Sequence, residues 1–234
     1  MQILIKIYNF IAFMLLERWY YYLAFFIFIL VINGLFKIYF NNILGWWAEK
    51  KVARFLSKLN PKKYKIINNL MIETEGNTTQ IDHLVISNYG IFIIESKNYY
   101  GWITGNDYGD WLLTIYRYKR KIINPIRQNY GHVQVLKNLL KDYPNISYYP
   151  IVVFTKRSIF NVNTGTDVVY NTDLVNTIKK HQEEIISDDS KDKIYKYLIN
   201  LNIKERRLRK DHVIRIKEKK KIIKANKEYI CPNV

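Results

Sequence analysis

The sequence predicts an α/β fold, a mixed sheet flanked by helices, with an N-terminal transmembrane helix in front of it. Three observations predict it. An uncharged run of 18 residues lies between Arg18 and Lys37, close to the lower limit for a helix that crosses a bilayer at ~1.5 Å per residue. Short β-branched and aromatic segments follow, bracketed by Asn, Gly and polar loops, as buried strands are. Between two groups of such segments, Asn124 and Pro125 open a stretch with helical spacing, the N-cap and first-turn pair typical of a helix start.

Taken in order, the run is "WYYYLAFFIFILVINGLF", residues 19–36. Trp19 and the three tyrosines after it suit one interfacial aromatic belt, and Trp46 and Trp47 suit the other. A buried helix of a soluble protein is the alternative, whereas a cleaved signal peptide fits less well because no small-residue cleavage site follows. Lys37, Lys50, Lys51 and Arg54 after the run outnumber Lys6 and Arg18 before it, which predicts a single pass with the C-terminal side in the cytoplasm. Residues 3–16 are also apolar but are broken by Lys6; they fit either an interfacial helix or half of a re-entrant hairpin.

A helix from about Leu44 to Leu59 is expected from the spacing of Val52, Phe55, Leu56 and Leu59. "YKIINNLMI" reads as a strand, "ETEGNTTQ" as a polar loop, and "HLVIS", "NYG", "IFII" as a buried hairpin. "WLLTIYRY" reads as a strand, "NPIRQNYGHVQVLKNLL" as a helix to about Lys141, "YYPIVVFTK" as a buried strand and "DVVY" as a short one. Asp173 and Ser190 are placed at the starts of two further helices. The expected organisation is an anchor over 1–40, a core over 41–160, completing elements over 161–202 and a basic tail over 203–234.

Charge points to a polyanion. The chain carries 37 Lys and Arg against 20 Asp and Glu, net +17, while 49% of its residues are hydrophobic, so it can bury a core and still attract nucleic acid or anionic lipid. Lys204 to Lys227 holds twelve of the basic residues, net +9. That run is either a solvated face or an arm that binds phosphate or anionic lipid. The single cysteine, Cys231, excludes an intrachain disulfide framework and a multi-cysteine zinc site.

The hairpin "IDHLVISNYGIFIIESKN" poses the main question, because its apolar strands end in an Asp, a Glu and a Lys. Side chains alternate along a strand, so a loop of Asn88 and Tyr89 would set 86 opposite 91, 84 opposite 93 and 82 opposite 95. Asp82, Glu95 and Lys97 then share one face; a three-residue turn would separate them. Directly opposed carboxylates ~4.5–5.5 Å apart at Cβ repel. Lys97 offsets part of that repulsion, and a hard divalent cation such as Mg²⁺ or Mn²⁺ would offset the rest. The plainer alternative is a Lys97 salt bridge at a sheet edge, without chemistry.

Asp82 followed by Glu95, Ser96 and Lys97 resembles the PD-(D/E)xK nuclease pattern. More closely, "TTQIDHLVISNYGIFIIESKNYYGWITG", then Trp111 and "NPIRQNYGHV", resembles the nuclease-related domain (NERD) over about Glu49 to Phe154. The resemblance implies a restriction-endonuclease-like αβββαβ core and hydrolysis of DNA with Mg²⁺ or Mn²⁺. It implies Asp82 and Glu95 as metal ligands, the Ser96 carbonyl as a third, and Lys97 at the attacking water and the phosphate. Glu49 matches the acid of the family's first helix, and Gln128 its glutamine; each has a structural alternative, at the helix dipole and at the helix start. Ile81 stands where the wider superfamily often has proline, which affects backbone shape and no chemistry. His83 points away from Asp82 and is expected in the core, as are Trp102 and Trp111, for which base stacking is the alternative. "EYICPNV" resembles the opening of a zinc ribbon, but one thiol cannot close a tetrahedral site, so no zinc is expected. The expected function is a membrane-anchored endonuclease acting on DNA; a catalytically weak, tethered module that binds nucleic acid or anionic lipid is the alternative.

Overall fold

The computed structural model describes residues 1–74, 77–143 and 145–205, together with Asp211, Ile214, Arg215 and Glu218. Most of the basic run and the "EYICPNV" segment therefore lie outside the described residues. The chain divides into two compact units, 1–47 and 48–234.

Helix α1 runs from Gln2 to Leu56, so residues 3–16 are helical and form no arm of a hairpin. Within it, Trp19–Phe36 has a mean hydropathy of 1.9 and is long and apolar enough to cross a membrane. Its side chains are exposed all round the helix, and a helix that is apolar on every side belongs in a core or a bilayer.

The second unit is mixed α/β. Strands β1 (Tyr64–Thr74), β2 (Asn77–Ser87), β3 (Gly90–Lys97), β7 (Tyr148–Phe154) and β9 (Asp167–Tyr170) form a five-stranded sheet in the order β1-β2-β3-β7-β9. The first three are antiparallel, and β7 and β9 run parallel to β3. On one face, helices α2 (Pro125–Leu139) and α4 (Asp188–Leu201) cover Leu84, Ile86, Ile91 and Ile93 with Val133, Leu136, Ile194 and Leu198. On the other, Val52 and Leu56 of α1 and Leu174 and Ile178 of α3 (Leu174–Lys179) cover Val85, Phe92 and Ile94. Strict alternation in β2 and β3 thus feeds two cores from one hairpin.

A second mixed sheet, order β6-β5-β4-β8, is built from β4 (Gly101–Asn106), β5 (Trp111–Ile115), β6 (Tyr118–Ile122) and β8 (Ser158–Asn163). The sequence suggested one sheet, and "WLLTIYRY" as one strand. It is split by a turn at Tyr116, whose φ of 53° lies in the left-handed region, and the chain folds back as β6. The "ETEGNTTQ" loop shrinks as well: Glu73 pairs with Thr78 and Ile72 with Thr79, because threonine's branched side chain suits a pleated surface despite its polarity. Helix α2 starts as expected, with Asn124 accepting from the Ile126 N–H at 2.9 Å. Asp173 precedes α3 without a side-chain cap bond. Helix α4 begins earlier than expected, capped by Ser187, which accepts from the Ser190 N–H at 3.2 Å, with Asp188 and Asp189 favourably placed in its first turn.

Strands β4–β6 enter the chain between β3 and α2, so the order of the main sheet with its helices is α1-β1-β2-β3-α2-β7. The inner face of the second sheet, Ile103, Trp111, Leu113 and Ile122, packs with Ile126, Val152 and Phe154. Trp111 is fully buried and its indole donates to the Asn106 carbonyl at 2.8 Å. A Cβ at Gly105 would overlap that indole ring. Gly105→Ala is accordingly expected to destabilise the fold by about 1–3 kcal/mol, the usual cost of overpacking, read as a lower melting temperature; an unchanged melt would show that Trp111 can shift.

Candidate active site

The two-residue turn Asn88–Tyr89 sets the register of the hairpin. Ser87 pairs with Gly90, Ile86 with Ile91, Leu84 with Ile93 and His83 with Ile94. Gly90 takes a φ of 131° there, and a Cβ would meet the Ser147 carbonyl at 2.7 Å, so only glycine suits the position. One further step along the ladder sets Asp82 against Glu95. Instead of continuing the strand pairing, the Asp82 carboxylate Oδ2 accepts from both the Ser96 N–H and its hydroxyl, each at 2.9 Å.

Glu95 is 2% exposed and its two oxygens differ. Oε1 accepts from Lys97 Nζ at 2.6 Å and from Gln128 Nε2 at 2.7 Å; Gln128 Oε1 in turn accepts from Lys97 Nζ at 3.1 Å. Glu95, Lys97 and Gln128 therefore form a closed triangle. Oε2 is buried and faces His132 Nε2 at 3.4 Å, an ion pair when the ring is protonated; among the described residues it accepts no well-formed hydrogen bond. His132 Nδ1 shares a 2.9 Å hydrogen bond with Thr79 Oγ1.

Electrostatics separate the acids. Burial alone would push Glu95 up, but Lys97, backed by His132, overcomes this and holds it below the ordinary carboxylate value. Burial would likewise lower Lys97, but Glu95 holds it above the ordinary lysine value, so it stays an ammonium. Asp82 is pushed up to about 6, by burial first and by Glu95 second, against the Ser96 bonds. Glu49 is pushed up to about 7 by burial and then by the charges of Asp82 and Glu95. Asp82 and Glu49 are thus disfavoured as anions. Oxygen donors of this kind fit a hard divalent cation. Among the described residues no three His, Cys, Asp or Glu side chains gather closely enough to hold an ion, so a cation would draw on a main-chain carbonyl such as that of Ser96, and on water.

The site follows from the elements. Asp82 and Glu95 continue the face occupied by Leu84 and Ile93, the one that α2 covers. Asn129, buried beside Gln128, donates to the Ile93 and Ile151 carbonyls at 2.9 and 3.1 Å and fastens α2 over β3 and β7. Asn124 donates to the Asn106 and Asp107 carbonyls at 3.1 and 3.2 Å, which fixes the start of the helix.

Asp82, Glu95, Ser96, Lys97 and Gln128 are brought together by direct bonds; Glu49 makes no such bond and feels the two acids only through their charge. Ser96 contributes its N–H and hydroxyl to Asp82. His83 is buried, hydrogen-bonded to Asn68 at 2.8 Å and pushed down to about 4 by burial. Trp111 is in the core, but Trp102 is 60% exposed, contrary to the expectation of packing, because its strand turns the opposite face inward. Sequence reasoning missed Thr79, His132 and Asn129; the signal for His132 was its position one helical turn after Gln128.

An α/β domain with two carboxylates and a lysine clustered at the end of a buried hairpin defines the class. Residues 44–155 match the nuclease-related domain, and the chain belongs to that family. It is 36% identical over 191 residues to an uncharacterized protein of Bacillus anthracis, covering 78% of this chain and 88% of that one. No solved structure matches.

The raised Asp82 makes a test that needs no substrate. Below about pH 4 it is protonated folded or unfolded; between about 4 and 6 the folded chain holds the proton more tightly than the unfolded one. The metal-free protein therefore loses stability as pH rises through about 6. Asp82→Asn, which keeps an acceptor for Ser96, is expected to be more stable than wild type by about 1–3 kcal/mol at pH 7.5 without metal, and no more stable at pH 4. Denaturant melts at both pH values check it.

Proposed function

We propose that the chain is a membrane-anchored, metal-dependent nuclease that hydrolyses phosphodiester bonds in DNA and belongs to the PD-(D/E)xK superfamily. The observation that carries this proposal is the cluster itself: Glu95 buried with one oxygen bonded by Lys97 and Gln128 and the other facing His132, Asp82 and Glu49 with raised proton affinity, and Lys97 fixed as an ammonium.

Asp82, Glu95 and the Ser96 carbonyl would hold Mg²⁺ or Mn²⁺. When bound, such a cation supplies Lewis acidity that draws a proton from water and offsets charge on the phosphate. Lys97, charged and held by Glu95 and Gln128, donates to the phosphate oxygens or to the attacking water, where developing negative charge needs a fixed donor. Because it is held as an ammonium, its role is that of a donor and not a base. Glu49, at about 7, is the acid best matched to exchange a proton near neutrality. Gln128 keeps the Lys97 ammonium aimed, and His132 backs Glu95. The exposed apolar stretch Trp19–Phe36 supports anchoring, with the domain on the cytoplasmic side, and the basic tail suits DNA or anionic lipid.

Full-length protein in detergent, assayed on linear, nicked, branched and single-stranded DNA and on RNA, tests this. Cleavage with Mg²⁺ or Mn²⁺ that EDTA abolishes is the expected result. Binding without cleavage under every condition would favour a tethered binding module, the reading to which the ready-made Lys97–Glu95 ion pair at 2.6 Å lends some support.

A further inference from the structure

The outer face of the β6-β5-β4-β8 sheet combines an exposed tryptophan with cations that make no ion pair among the described residues. Residues paired across neighbouring strands project to the same face. Pairing places Lys119, Thr114, Trp102 and Ile159 in one row and Lys121, Leu112, Thr104 and Asn161 in the next. Trp102 and Ile159 are 60% and 50% exposed, whereas the opposite face of the same strands is core. Beside this face stand the exposed Tyr116, at the turn between β5 and β6, and Tyr100, which is hydrogen-bonded to it.

The charge on this sheet is mostly positive. Residues 99–122 and 155–163 carry Arg117, Lys119, Arg120, Lys121, Lys156 and Arg157 against Asp107 and Asp110. Among the described residues none of these six cations makes an ion pair. With strands about 4.8 Å apart, Lys119 stands about 10 Å from the Trp102 backbone, and Lys121 about 7 Å further along its own strand. Lys119 and Lys121 therefore stand in line along one strand, two strands away from Trp102. A lipid surface would need continuous apolar area, which Thr104, Thr114 and Asn161 interrupt. A duplex hides its base faces, whereas unpaired bases stack on exposed aromatic rings of a sheet while cations track the backbone.

We propose that this face binds an unpaired stretch of nucleic acid, with a base stacked on Trp102 and phosphates on Lys119 and Lys121. The proposal deepens the nuclease reading and rests on it for the identity of the substrate. Strand β4 begins a few residues after Lys97, so a strand held on the sheet lies beside the chain segment that leaves the catalytic cluster.

Full-length protein in detergent with EDTA present, titrated with oligo-dT, oligo-rU and a duplex, separates binding from cleavage. Trp102→Ala is expected to weaken single-strand binding about five- to a hundredfold, with Trp102→Phe recovering most of it and the duplex little affected. Replacing Lys119 and Lys121 together by Ala is expected to flatten the slope of log K against log salt by about 1.4. Both substitutions are on an exposed face, so melting curves should not move. A preference for oligo-dT or oligo-rU names the natural strand, and either supports the site. Unchanged single-strand affinity in Trp102→Ala, an equal loss on duplex, or a loss seen only with anionic vesicles would overturn it. If no substrate is ever cleaved yet Trp102→Ala still loses oligonucleotide binding, the nuclease reading falls and the surface stands. Cleavage that persists with unchanged binding gives the converse.

Discussion

Asp82→Ala and Glu95→Ala are each expected to lower cleavage by at least about a hundredfold, and Lys97→Ala by a similar factor, the scale on which single charge-stabilising or proton-handling groups act. Metal binding should divide the three. Removing either carboxylate removes an oxygen donor and most Mn²⁺ affinity, whereas Lys97→Ala should leave that affinity in place. Stability should divide them differently. Glu95 is anchored by Lys97 and Gln128, so Glu95→Gln should cost about 1–3 kcal/mol by loosening a partly buried ammonium from its partner, while Asp82→Asn should stabilise the metal-free protein. Before the geometry is seen, the two acids look alike, each repelled by the other. In the fold only Asp82 bears the repulsion, because Lys97 has already sided with Glu95. Calorimetric Mn²⁺ titration with parallel melts of the variants decides the matter: full metal affinity in Asp82→Ala and Glu95→Ala would assign the cluster to a structural ion pair.

Deleting residues 1–40 is expected to move the protein almost completely from the membrane pellet to the soluble fraction, while the full-length protein resists carbonate. The span Trp19–Phe36 contains no charged residue and exposes its side chains. The packing residues Val52 and Leu56 lie beyond the deletion and belong to the core of the second unit, so the remainder keeps its sheet covered. Full-length protein that dissolves in carbonate would defeat the anchor, and protease access from the outer side would defeat the orientation.

The main sheet was legible where pattern and turn chemistry agreed. "HLVIS" and "IFII" alternate between two buried faces, and the two-residue turn fixes their register, so the meeting of Asp82, Glu95 and Lys97 could be counted out in advance. The second sheet was not legible. "GWITGN" contains two glycines and an asparagine, "YKRKI" is mostly charged, and neither resembles a strand until a partner supplies the other half of its pairing. Its consequence was a misplaced Trp102, since a tryptophan amid apparent loop has no face to be assigned. His132 was hidden for a different reason. Its spacing from Gln128 was visible, but only the folded hairpin shows that Thr79 and Glu95 lie on either side of its ring.

The three strands inserted between Lys97 and Asn124 also make the cluster conditional. Lys97 and Gln128, which touch at 3.1 Å, are separated in sequence by the whole insert, and the cap residue Asn124 hangs on the carbonyls at the end of β4. If the insert opens while the five-stranded sheet stays closed, the first turn of α2 loses its tether and Gln128 its place. Local opening of this kind occurs at lower free energy than global unfolding. Activity should therefore fail, on warming or in mild denaturant, before the bulk of the protein melts, with hydrogen exchange across residues 101–128 rising in step with the loss.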